Sequence, residues 1–219
     1  QHGTAIVVLA ALKNSLKLVK KDISAVKIVM SGAGAAGTAV ARLLVKSGAK
    51  NIIAFDKDGA INASRSREDE MRAWFIDHSN PTNFAGDIHE AMSGADVFIG
   101  VSAPNVLTEA DIASMGAKSI VFALANPDPE VDPVVARKYA AVVATGRSDQ
   151  PNQINNVLAF PGIFRGLLDA QAHKITDDLL IAAANAIADC VSASQLNASF
   201  IVPSVFDPQV VTKVAAAVK

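Results

Sequence analysis

Residues 28–37, IVMSGAGAAG, constrain this chain more than any other stretch: an apolar, β-branched run enters a glycine turn, Gly32-Ala33-Gly34-Ala35-Ala36-Gly37. Such a run reads as a buried strand, and the turn has the GxGxxG spacing. The spacing alone is weak evidence, because a chain of 219 residues with 13 glycines can produce it by chance. Its context strengthens it. Val26–Met30 read as a strand, Ala35–Val45 (AAGTAVARLLV) as a helix, and a second strand, Asn51–Phe55, ends on Asp56, 19 residues beyond Gly37.

Each part of this unit has a physical task in holding a dinucleotide. Gly32 allows the tight strand-to-helix turn, Gly34 lets the backbone approach a pyrophosphate with no Cβ in the way, and Gly37 lets the helix pack on the strand. Free N–H groups near Ala35 and Ala36, at the positive end of the helix dipole, supply donors for the anion. Asp56 accepts from ribose hydroxyls, and its charge would meet a 2′-phosphate, so NAD is expected in preference to NADP. Lys57 works against that preference. The competing reading of the turn is a glycine-rich connection in an unrelated α/β domain.

The rest of the chain continues the alternation. After Asp56 come helices over 66–77 and 88–92, a strand over 96–100 (DVFIG) and a helix opening at Thr108. Strands over 119–123 (SIVFA) and 141–145 (AVVAT) follow, then helices over 155–169, 177–192 and 208–218. This order implies a doubly wound parallel sheet with helices on both faces. No Pro/Gly/Ser linker divides it, so residues 1–219 read as one domain. The first helix, from about Thr4 to Val19, sets Ala5, Val8, Leu9, Leu12, Leu16 and Val19 on one face, yet Ile6, Val7, Ala10 and Ala11 make the other side apolar too. It is expected to be buried all round, partly by something outside this chain, which alone should expose an apolar surface and self-associate.

Ligands of doubly wound sheets bind beyond the carboxyl ends of the strands. That singles out residues 32–37, 56–59, 101–106 (VSAPNV), 124–129 (LANPDP) and 146–156 (GRSDQPNQINN). Asparagine recurs in them, and a carboxamide offers a donor and an acceptor without charge. For Asn126, which precedes a proline, plain turn chemistry is the competing reading.

Composition narrows the ligand. With 51% hydrophobic and 19% charged residues the chain is well cored, and its net charge of −1 leaves no basic footprint for nucleic acid. A small molecule is the expected partner. The apolar stretch Ala5–Leu12, broken by Lys13, is too short to span a bilayer. The single cysteine, Cys190, suits a reducing, cytoplasmic compartment and reads as a core thiol rather than a nucleophile. A start at Gln1, without methionine and inside a helix, predicts a piece of a longer protein.

Longer stretches are more specific: QHGTAIVVLAAL, GAGAAG, FDKDGAI, GADVFIGVSAP, IVFALANPDPE, VATGRSDQPNQINNVLAFPGIFRG and IVPSVFDPQV. Together, and above all HGTA, ALANP and QINNVLAFPG in that order, they make the whole chain resemble the NAD(P)-binding half of malic enzymes of the short bacterial type. The resemblance implies a Rossmann-type domain and oxidative decarboxylation of L-malate to pyruvate and CO2, with NAD(P) as hydride acceptor and Mg2+ or Mn2+ required. It places a general-base lysine, a general-acid tyrosine and two adjacent metal-ligating acids in an N-terminal domain absent from this chain. A further metal-ligating aspartate would belong to a DD pair directly before Gln1, so no catalytic or metal residue is expected here. A homodimer or higher oligomer is implied as well.

Carried over by position, Ala33, Gly34, Ala35 and Ala36 would face the pyrophosphate and Asp56 the adenosine ribose. Ser102 and Ala103 would line the nicotinamide ribose. Asn126 would serve the nicotinamide side and the substrate, and Asn156 a malate carboxylate or hydroxyl, while Asn155 reads as structural. His2, His78, His89 and His173 have no metal-site spacing, although His2 could neighbour the metal site as a neutral group. Arg147 and Asp149 read as a loop-ordering ion pair, Glu68, Asp69 and Glu70 as a helix start, and Trp74 and Phe75 as core. Two alternatives stay open: a malolactic enzyme, which yields lactate with no net redox change, and a non-catalytic dinucleotide-binding module.

Overall fold

In β1 (Lys27–Ser31), Ile28 and Met30 enter one hydrophobic core and Val29 enters another. The same period of two runs through β4 (Val97–Gly100), β5 (Ile120–Ala123) and β6 (Val142–Thr145), so these strands are apolar on both faces. Strands of that kind pair in parallel under crossover helices. The computed structural model, which describes residues 1–171 and 174–219, joins them with β2 (Asn51–Asp56) and β3 (Gly59–Ala60) in the order β3-β2-β1-β4-β5-β6. All neighbours are parallel except β3, a short antiparallel edge on β2.

The helices divide between the two faces, as the alternation predicts. Residues of α1 (His2–Val19), α2 (Ala35–Lys46) and α3 (Glu70–His78) enter the core that holds Ile28 and Met30. The core around Val29 takes α4 (Ile88–Met92), α5 (Glu109–Ser114) and α6 (Pro133–Ala136). Three more, α7 (Phe160–Asp169), α8 (Asp177–Ala188) and α9 (Pro208–Ala217), join the first core. Two expected helices change shape. The one over 66–77 starts at Glu70, because the Asp69 carboxylate accepts from the Arg72 N–H at 2.8 Å and caps it there. The one over 155–169 divides into a 3-10 turn (Asn156–Leu158) and α7, at the point where Pro161 cannot donate to a continuing helix. β3 and α6, two and four residues long, are too short to leave a period in the sequence.

The first helix departs from expectation in one respect. Ala5 through Leu12 are all buried within this chain, between α2 and α8 and against the 3-10 turn, so no outside cover is needed. Each of Ile6, Val7, Val8, Leu9 and Leu12 thereby contributes about 1.5–3 kcal/mol of burial. The buried Asn14 is satisfied as well, donating to the carbonyls of Ala188 at 3.0 Å and Ile201 at 2.9 Å. Exposed apolar surface lies instead on α7, where Phe164 and Leu168 are 57% and 72% exposed. Among the described residues no helix is long and apolar enough to cross a membrane.

Candidate functional site

Since β2 flanks β1 on one side and β4 on the other, the connections after β1 and β4 part company and leave a crevice beyond their carboxyl ends. The glycine turn fills it. Gly32 has φ +104, a conformation that L side chains rarely adopt, and its N–H donates to the Phe55 carbonyl at 2.9 Å. A Cβ at position 37 would lie 1.8 Å from the Gly32 carbonyl oxygen, so only glycine lets α2 start directly against the turn. Above Gly34 the space is open: a Cβ there meets nothing within 4 Å. No side chain caps α2 and its first turn carries no acid, which leaves its N–H groups free to hold an anion.

On one side of the turn lies a cavity of about 340 Å³ lined by Gly32, Ala33, Gly34, Asp56, Lys57, Ile61, Asp69, Met71 and Arg72. Asp56 ends β2 and is closely held there. Arg65 Nη2 is 3.0 Å from both its oxygens, Arg72 Nε is 3.2 Å from Oδ2, and the Asp58 N–H donates to Oδ1 at 2.9 Å. Burial works against this carboxylate, but those donors and the two guanidinium charges outweigh it and hold Asp56 below the ordinary carboxylate range.

On the other side a cavity of about 360 Å³ is lined by Thr4, Ala36, Val101, Ser102, Leu124, Ala125, Asn126, Gly146, Ile154, Asn155 and Asn156. It brings Asn126 and Asn156 together from loops thirty residues apart in sequence. The loop carrying Asn156 is fixed by Asn152, which donates to the Val143 and Ala198 carbonyls at 3.0 and 2.8 Å and accepts from the Ile201 N–H at 3.0 Å. Asn155 caps the 3-10 turn, its Oδ1 accepting from the Val157 N–H at 3.0 Å. No lining side chain is titratable. The cavity can bind and orient a polar ligand but has no group to exchange a proton with it.

Other expected residues fall outside these two cavities. Ala35 faces a smaller cavity with Gln1, His2, Arg42 and Asp177, and Ala103 is exposed and lines none of them. Gly37 is buried beneath the turn. Arg147 and Asp149 do pair, at 2.7 and 2.9 Å. Phe75 is core, whereas Trp74 is half-buried, stacked on His78 with the Arg42 guanidinium over its ring. Cys190 is half-buried, and burial pushes its thiol up, away from a reactive thiolate. His173 lies outside the described residues. Among the described residues no three His, Cys, Asp or Glu side chains cluster as a metal site.

Sequence reasoning missed Arg65 and Arg72, the partners of Asp56, and Thr4 in the neutral cavity, whereas Gly146 and Ile154 belong to the strand-end segment 146–156 that it singled out. It also missed Glu130, buried beneath that cavity. Two arginines shortly after an acid-ended strand were the available signal for the first pair. Glu130, in a Pro-Glu loop, carried none.

The family model described as "Malic enzyme, NAD binding domain" matches residues 1–219. An NAD-dependent malic enzyme of Geobacillus stearothermophilus is 50% identical over 218 residues, covering 100% of this chain and 46% of that protein. A bifunctional malic/malolactic enzyme of Bacillus subtilis is 47% identical over 220 residues, covering 100% of this chain and 54% of that protein. Further relatives, at lower identity, are named NADP-dependent malic enzymes. The crystal structure of an NAD-dependent malic enzyme from Thermotoga maritima superposes with a TM-score of 0.94 at 44% identity, over 100% of this chain and 58% of that one. The chain thus spans about half the length of the curated relatives it matches. With its full length matched and its sheet carrying the glycine turn at the crevice, this chain belongs to the malic enzyme family, as its NAD-binding domain.

Proposed function

We propose that residues 1–219 form a single cofactor-binding domain of an enzyme that oxidatively decarboxylates L-malate to pyruvate and CO2. The observation that carries this reading is the neutral cavity beside the first turn of α2, where Asn126, Asn156, Ser102 and Ala36 converge. A dinucleotide fits the residues present. The open face over Gly34 and the uncapped N–H groups of α2 suit a pyrophosphate, Asp56 suits the adenosine ribose, and the nicotinamide end then extends toward Ser102 and Asn126. Bound there, NAD supplies a hydride acceptor.

The domain's own residues bind and orient. Asn156 offers a carboxamide to a malate carboxylate or hydroxyl, and Asn126 serves both the nicotinamide side and the substrate. Because no lining side chain is titratable, the general base and acid of this reading lie outside the lining of this cavity. In this reading the ligands of Mg2+ or Mn2+ belong to another part of the protein. NAD is the preferred cofactor, since Asp56 accepts from a ribose hydroxyl. We place the protein in the cytoplasm, as a homodimer or higher oligomer.

A second reading, conversion of malate to lactate without net redox change, draws support from the Bacillus subtilis relative named a bifunctional malic/malolactic enzyme. One assay separates the two. Malate and NAD given to the intact protein should yield pyruvate and NADH in equal amounts; lactate without NADH would favour the malolactic reading, and no turnover of malate would overturn both.

A further inference from the structure

The loops after β4 and β5 deliver Ser102, Ala125 and Asn126 to the neutral cavity, and one side chain joins them from beneath. Glu130 is completely buried. Its Oε1 accepts from the Ser102 backbone N–H at 2.9 Å and from the Ser102 hydroxyl at 3.3 Å, while its Oε2 accepts from the Ala125 N–H at 3.0 Å. Ser102 Oγ in turn lies 2.7 Å from Ser31 Oγ at the end of β1, so the network ties together the ends of three adjacent strands. The carboxyl group has room above β4 because residue 100 is glycine: a Cβ there would stand 2.3 Å from the Glu130 carboxyl carbon.

No cation is among these partners. Burial pushes the Glu130 carboxyl up from its ordinary value, and the converging N–H donors oppose that. Enclosing a carboxyl without a counter-charge costs folding free energy, so net stabilisation does not account for its position. Its geometry does more: each oxygen serves a different loop, and the two loops carry Ser102 and Asn126.

We propose that Glu130 is a positioning residue that clamps the β4 and β5 loops at the separation at which Ser102 and Asn126 engage one ligand. The inference rests on the cofactor and substrate reading above. A clamp of this design needs two acceptors. Glutamine has the same size but one acceptor, and its NH2 would face an N–H donor, leaving one loop untied. A residue that merely filled space would be replaced by glutamine without loss.

The experiment uses the intact protein and two ligands. ADP reaches the charged cavity and the turn but lacks both nicotinamide and its ribose, whereas malate turnover with NAD requires the neutral cavity. Glu130→Gln and Glu130→Ala should both bind ADP within about twofold of the unaltered protein while losing about tenfold or more in kcat/KM for malate. Wild-type turnover in Glu130→Gln would overturn the clamp, and so would an equal loss of ADP binding in both variants. Failure of the unaltered protein to bind ADP would overturn the cofactor reading itself, and the clamp with it. Should the variants not fold, hydrogen exchange in the unaltered protein decides: the Ser102 and Ala125 amides should exchange roughly 100-fold more slowly than an open loop, and rapid exchange at either would sink the inference.

Discussion

The cavities on the two sides of the glycine turn are of similar size and opposite character. One holds Asp56, Lys57, Asp69 and Arg72 at its surface, with Asp56 locked between two guanidinium groups. The other is lined by carboxamides, the hydroxyls of Thr4 and Ser102 and apolar side chains, with Glu130 sealed beneath. Half-buried ion pairs suit the end of a ligand that does not change during a reaction; a neutral, carboxamide-lined pocket orients the end that does. The two sides also hold their carboxylates in opposite ways. Asp56 is depressed by cations and Glu130 is raised by burial.

The harshest test shifts the glycine turn, which lends residues to both cavities. Gly37→Ala would drive a Cβ into the Gly32 carbonyl, so the turn must shift. Overpacking of this kind costs about 1–3 kcal/mol of stability. Dinucleotide affinity should fall roughly 100-fold. Calorimetric titration measures it, and affinity retained within about threefold would mean that the turn is not the anchor of the dinucleotide.

The next test separates the sides. Asn156→Ala should lower kcat/KM for malate by about 10–100-fold, the cost of leaving buried polar groups of the substrate unpaired, at about 1–3 kcal/mol. Affinity for NAD should stay within about twofold. Asn126→Ala should impair malate use by a similar factor and weaken NAD as well. If steady-state kinetics left both the Michaelis constant and the turnover number of both variants near wild type, the neutral cavity would not be the substrate side.

Asp56→Asn probes the charged side alone. It leaves Arg65 and Arg72 with Asp58, at 3.6 and 3.9 Å, as their remaining shared carboxylate, and less fully paired guanidinium groups favour a phosphate. The ratio of NADP to NAD affinity should rise about tenfold, with malate kinetics at saturating cofactor little changed. A fall in both affinities together would show that the ion pairs only brace the loop.

The smallest effect is read in acid. Because its folded value lies below the ordinary carboxylate range, ionised Asp56 stabilises the fold above about pH 4, and this contribution is lost as pH falls through the depressed value. Glu130 acts with the other sign: its raised folded value means that the cost of burying the anion is relieved as pH falls. Melting temperatures between pH 5 and pH 3 should therefore decline less steeply in Asp56→Asn than in the unaltered protein. Equal slopes would remove Asp56 from the acid response.

Strand periodicity and turn chemistry are local, and they were legible. The run from Val26 through Gly37 to Asp56 foretold β1, the turn, α2 and β2, and the alternation beyond it foretold a parallel sheet with helices on both faces. Asn126 and Asn156 were also singled out from strand ends and motif resemblance, and they meet in one cavity. Less was legible where partners come from far along the chain. The apolar circumference of α1 announced burial but pointed to cover from outside the chain, whereas α2, α8 and the 3-10 turn cover it. Asp56 read as a free acid because its arginines stand 9 and 16 residues later, on the far side of a hairpin that has no sequence period.

By itself, then, the sequence determined what short-range sterics and period determine: which segments are strands or helices, where glycine opens a turn, and which loops end at the same edge of the sheet. Tertiary structure alone decided the electrostatics. The charge state and bonding of Asp56 and Glu130 depend on which donors surround them and how far they are from water, and those distances exist only once the loops have packed. The same holds for the neutral cavity, whose walls come from α1, the start of α2 and the ends of three strands, brought together by the burial of a core that no single segment encodes.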